Sequence, residues 1–111
     1  MIELVVKEFL DNNLNIPVLL EKERKLTGKF VLLEKTGGTS KNQLHSATVA
    51  IQSYADSLYE AALLNQEIKD VMSNLVEIEN VSGVHLNSDY NFTDTETKQY
   101  RYQAVFDINY C

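Results

Sequence analysis

The residues in this chain whose types could do chemistry are two histidines, one cysteine, a Gly-Gly pair and a small group of acids. His45 and His85 stand far apart, and neither has a Cys, His or carboxylate at metal-ligand spacing. A zinc site needs three or four convergent ligands, so both read as surface or sheet-face histidines. Cys111 is the final residue, with no basic neighbour in sequence to hold it as a thiolate, which argues against a catalytic thiol. Gly37-Gly38 lacks the Lys-Ser/Thr and the following helix that a phosphate-binding loop requires. Asp89, Asp94 and Glu96 match no calcium-loop spacing and read as solvated acids at a hairpin end. No catalytic, cofactor-binding or metal-binding constellation is expected.

The elements that position these residues are clearer than the chemistry. Ile2, Val5, Val6, Phe9 and Leu10 make a helical stripe that ends near Asn12-Asn13. Pro17 forces extended backbone before it, so Val18 to Lys22 reads as a short edge strand. Glu23 to Gly28 is a charged turn. Lys29 to Lys35 is a strand whose unbroken apolar run, Phe30-Val31-Leu32-Leu33, predicts cover on both faces. Thr36 to Asn42 reads as a loop.

A third strand runs from about Leu44 to Tyr54. The apolar period then switches from two to that of a helix, through Leu58, Ala61, Ala62, Leu64, Ile68, Val71, Met72 and Leu75. Ser57 and Glu60 have capping-box spacing at that switch. Glu60, Asn65, Gln66, Glu67, Lys69 and Asp70 form the polar face of this helix, a solvated face by default.

Val76 to Asn80 is a connector. Val84, Leu86, Ser88, Tyr90 and Phe92 alternate with polar residues or glycine, Thr93 to Glu96 turns, and Tyr100 to Tyr110 is the final strand. Tyr100, Tyr102, Ala104, Phe106, Ile108 and Tyr110 take its core side, while Tyr54 and Tyr90, near element ends, suit interface anchoring.

The fold class is therefore α+β: one domain over residues 1-111, order α-β-β-β-α-β-β. A mainly antiparallel five-stranded sheet carries two helices on one face. Val31 or Leu33 would then be left on the second face. Each would forgo roughly 1.5–3 kcal/mol of burial without a partner, which predicts a second subunit there.

Bulk composition excludes more than it assigns. A chain of 111 residues with 44% hydrophobic content folds as one core. A net charge of −6 argues against gripping nucleic acid. No apolar run reaches the roughly 20 residues of a membrane helix, the N-terminus lacks a signal pattern, and the lone cysteine suits a reducing site of synthesis.

Four segments carry a family resemblance: Lys29 to Gly38 (KFVLLEKTGG), Ala47 to Ala55 (ATVAIQSYA), Ser88 to Asp94 (SDYNFTD) and Tyr100 to Asp107 (YRYQAVFD). Together they resemble the tail terminator proteins, also called tail completion or minor capsid proteins, of long-tailed phages and prophages of Gram-positive bacteria. The resemblance spans about Pro17 to Tyr110. It implies a small structural subunit, made in the bacterial cytoplasm and residing in the virion. Such subunits form a homo-oligomeric ring, commonly a hexamer, on the head-proximal end of the tail tube. The ring ends tube polymerisation and docks the head or its connector protein, while DNA passes through the lumen without specific binding. No enzymatic activity, cofactor or membrane is implied.

By position, Gly37, Gly38, Lys41, Asn42, Tyr54, Asp89, Tyr90, Asn91 and Asp94 are the expected interface residues. The alternatives are a head-closure or connector protein, a tail tube protein of the same region, or a small α+β ligand-binding module.

Overall fold

The computed structural model describes residues 1–21 and 27–111. The far end of the first predicted strand, at Lys22, and most of the charged turn after it lie outside the described residues. The order is α1 (Ile2–Asn13), β1 (Val18–Leu19), β2 (Phe30–Lys41), β3 (Leu44–Ala55), α2 (Leu58–Met72), a short 3-10 turn (Leu75–Glu77), β4 (Val81–Asn91) and β5 (Tyr100–Tyr110). The strands form one sheet in the order β1-β2-β3-β5-β4. All pairs are antiparallel except β1 with β2, and both helices lie on one side.

Each helix forms for reasons visible in its residues. In α1, Ile2, Val6 and Leu10 recur at i, i+4, i+8 and are buried. The helix stops at Leu14, which turns extended three residues before Pro17. In α2, the Ser57 hydroxyl accepts from the Glu60 backbone N–H at 3.1 Å, satisfying one orphan donor of the first turn. Ala61, Leu64, Ile68 and Met72 face the sheet. Leu75, predicted to continue this helix, is fully buried but belongs to the 3-10 turn. The break falls at Ser73, whose hydroxyl donates to the Asp70 carbonyl at 2.6 Å. Asn65, placed on the solvated face by the sequence, is only 3% exposed and points at the sheet.

The core lies between helices and sheet. Residues Ala47, Val49 and Ile51 of β3 and Ala104, Phe106 and Ile108 of β5 are paired across the strands and buried under the helices. Val31 and Leu33 are in this core too, not on the second face as expected. Phe30 and Leu32 take that second face instead, so both sides of the apolar run are in fact used. The predicted loop Thr36 to Asn42 is also corrected. Strand β2 continues through Gly37 and Gly38 to Lys41, absorbing Thr36 as a bulge. The chain reverses at Asn42 and Gln43, both at positive φ (52° and 66°), the backbone of a two-residue hairpin turn. Glycine-rich composition signalled a loop, but pairing with β3 outweighed it.

A bulge in β4, one of two register shifts in its pairing with β5, corrects the alternation expected for that strand. Leu86 pairs with Phe106 and Ser88 with Val105, so Asn87 is an extra residue. The side-chain period is two, so one inserted residue exchanges the faces beyond it. Val84 and Leu86 are on the helix side, whereas Tyr90 and Phe92 are on the opposite side. Asp89 gains the helix side, where it meets Asn65 and Lys69. Deleting Asn87 should therefore turn Asp89 away from α2 and strand the buried Asn65 amide. The loss should be about 1–3 kcal/mol from that amide alone, read as a lower urea midpoint. An unchanged midpoint would show that the bulge does not set the register.

Candidate functional site

The helix-free face of the sheet is where the outward-directed polar and aromatic residues gather. Alternation along β3 and β5 sends Ser46, Thr48, Ala50, Gln52 and Tyr54 to this face, opposite Asn109, Asp107, Val105, Gln103 and Arg101. The Asn87 bulge brings Tyr90 and Phe92 beside them.

These side chains close a circuit. Arg101 Nη1 donates to Tyr54 Oη at 3.0 Å. Tyr54 Oη donates to Gln52 Oε1 at 2.9 Å, and Gln52 Nε2 donates to Gln103 Oε1 at 2.8 Å. Gln103 Nε2 then donates to Tyr90 Oη. The Tyr90 ring meets Phe92 edge-on at 5.8 Å, and Arg101 lies over the Phe92 ring at 4.5 Å and the Tyr54 ring at 5.6 Å. Phe30 stacks on Tyr54 at 4.4 Å, nearly parallel. Every hydrogen bond in this relay points the same way, from the guanidinium towards Tyr90, and donors aligned in series polarise one another. Tyr90, at the end of the relay and 40% exposed, accepts from Gln103 and keeps its own O–H for an outside acceptor.

Further along the same face, Asp107 accepts from Thr48 Oγ1 at 2.9 Å and from Asn87 Nδ2 at 3.0 Å. These two bonds, Asn87 first, hold its carboxyl below the usual value, with the charge of His85 adding to them. Asp89 is pushed up by burial, but the bonds from Lys69 and Asn65 and the Lys69 charge together outweigh it and lower the pKa. Asp94 is lowered by the Thr97 hydroxyl and the backbone N–H groups of Glu96 and Thr97, the bonds of the turn it organises.

The expected interface residues fall into two groups at opposite ends of the sheet. Gly37, Gly38, Lys41 and Asn42 lie at and below the β2–β3 turn, all exposed. Asp89, Tyr90, Asn91 and Asp94 lie at the other end, where β4 approaches β5. Asp89 is engaged by Lys69 at 2.6 Å, and the Asn91 side chain accepts from the Thr93 N–H at 3.0 Å. Tyr54 is only 4% exposed and works within the circuit rather than at its surface. Sequence reasoning missed Gln52, Arg101, Gln103, Phe92 and Phe30. Only Gln52 opposite Gln103 on two adjacent strands could have signalled them, and that pairing is invisible until register is known. Among the described residues, no three of His, Cys, Asp and Glu converge on a metal position, and no helix is long and apolar enough to cross a membrane. No protein-family model and no curated protein sequence matches the chain.

Replacing Gln103 by Leu should cut the relay in the middle, leaving Gln52 without its acceptor and costing about 1–3 kcal/mol. Tyr90→Phe, which keeps the ring, should cost about 0.5–1.5 kcal/mol. Equal urea midpoints for wild type and Gln103→Leu would show that the circuit contributes nothing.

The depressed Asp107 pKa fixes the sign of an acid effect. Its folded value lies below the ordinary value of 3.8. The contribution is therefore complete above that value and is lost as pH falls through the folded one. Asp107→Asn should flatten the fall in denaturation midpoint below about pH 4; profiles that superimpose would remove Asp107 from acid unfolding.

Proposed function

We propose that the protein is a structural virion subunit that caps the head-proximal end of a phage tail tube as a ring. It ends tube polymerisation there and presents the docking surface for the head. One observation supports this reading above the others. The four segments that resemble tail terminators all contribute to strands of one sheet, β2, β3, β4 with the turn after it, and β5. Their side chains make up the pre-organised helix-free face. Rigid aromatic and amide groups held in place before contact suit a surface that binds another protein, because little side-chain entropy remains to be lost. In a ring, the helix-free face would meet neighbouring subunits, the tube or the connector, and DNA would pass the acidic wall without specific contacts.

The reading is tested by mixing purified protein with tail tubes and imaging by negative-stain electron microscopy. Rings at one end of each tube, with tube growth halted, are the expected result. Growth of the protein alone into long tubes would make it a tube subunit. Binding to head connectors with no effect on tubes would make it a joining protein. A monomer that touches neither would end the structural reading.

A further inference from the structure

The charge of this acidic chain is unevenly placed, and the unevenness has a direction. From Lys35 to Ser46 the β2–β3 hairpin carries Lys35, Lys41 and His45 and no acid. Its tip, Lys41 to Leu44, is exposed throughout, with Leu44 61% exposed beside its cross-strand partner Lys41. The outward face of α2 is the opposite. Tyr59 and Leu63, one turn apart, are 73% and 51% exposed. Glu60 follows Tyr59 and Glu67 lies one turn beyond Leu63, with Asp70 further along the helix, and Lys69, the basic residue of that helix, is taken by Asp89. Among the described residues, neither the two hairpin lysines nor these three acids have an ion-pair partner.

The two patches cannot meet within one chain. Strand β3 runs from the hairpin tip to Ala55, and α2 starts three residues later at the far end. At roughly 3.3 Å per residue its twelve residues hold the ends about 36 Å apart, most of the 45 Å long axis of the molecule. We propose that the hairpin tip of one copy docks on the outer face of α2 of the next. Leu44 seats between Tyr59 and Leu63, and Lys41, on the same face of the hairpin as Leu44, meets Glu60 and Glu67. The contact joins different surfaces of identical chains; repeated head to tail it closes a ring when the rotation per copy divides a full turn, whereas reciprocal docking of two copies would stop at a dimer. The inference rests on the ring reading above and specifies one of its contacts. The apolar pair supplies the anchor, and the rim charges supply orientation and salt sensitivity.

The test is a cysteine pair, Leu44→Cys with Leu63→Cys, in a chain carrying Cys111→Ser, oxidised at about 100 µM. Both positions are exposed, so folding should be unaffected. The expected result is a ladder of disulfide-linked multimers on a denaturing gel, ending at the ring number, whereas each single-cysteine chain yields dimers at most. In parallel, Lys41→Glu should weaken self-association roughly threefold or more, and adding Glu67→Lys should restore it. No ladder overturns the docking. If the wild type still sediments as a closed oligomer, only this contact falls and the ring stands. If the wild type sediments as a monomer and also fails to cap tubes, both fall.

Discussion

The rest of the structure depends on the antiparallel pairing of β3 with β5. These strands run together from His45 opposite Tyr110 to Ala55 opposite Tyr100 without a register shift. Both neighbouring pairs, β2 with β3 and β4 with β5, contain bulges. The central pair therefore acts as the ruler. It commits odd-numbered β3 residues and even-numbered β5 residues to the helices, and the remainder to the other face. Slipping β5 by one residue against β3 would carry Gln103 and Asp107 to the helix side and send Phe106 and Ile108 to the other face. That cost, several buried side chains at about 1.5–3 kcal/mol each together with unpaired polar groups, is why one register dominates.

The bulges on the flanking strands adapt this ruler to two tasks. At Asn87 the extra residue turns Asp89 towards α2 and frees Tyr90 and Phe92 to complete the circuit with Arg101 and Gln103. The bulged residue also takes part, donating to Asp107 on the helix-free face. At Thr36 the extra residue falls where the core ends and the exposed hairpin begins, and its hydroxyl donates to the Thr48 carbonyl at 3.3 Å. Just before it, Lys35 reaches forward to 3.0 Å from where a Cβ on Gly38 would stand, so glycine at 38 lets the lysine stem lie flat along the strand. The same device serves a tether to the helix on one edge and a bare arm on the other.

Much of this was legible because local signals and packing agreed. The two-residue period of β5 and the Ser57 cap needed no tertiary information, and both strand ends and the helix start fall where the residues place them. The hairpin arm was not legible, since Thr-Gly-Gly-Thr-Ser has loop composition and becomes strand only by pairing with β3. The faces of β4 were not legible either, because a bulge leaves no mark on composition yet inverts every residue after it. Asn65 read as a solvated helix residue because its partner, Asp89, reaches the helix side only through that bulge. The circuit on the helix-free face fails for the same reason: its members are ordinary residues made informative by register alone.

A surface built in this way has a polarity that a cavity lacks. The hydrogen-bond relay runs one way, from the charged Arg101 to the hydroxyl of Tyr90. The molecule also has two different ends, a basic arm without helix cover and an end where α2 begins with acids around exposed Tyr59 and Leu63. Pairing like patch with like would set a basic arm against a basic arm. Electrostatics disfavours that arrangement and favours arm against helix. Repetition of one unlike contact is also how identical subunits make a closed circle. In the docking proposed above, the register sets the two faces, the bulges set what each face presents, and the charge distribution sets which end meets which.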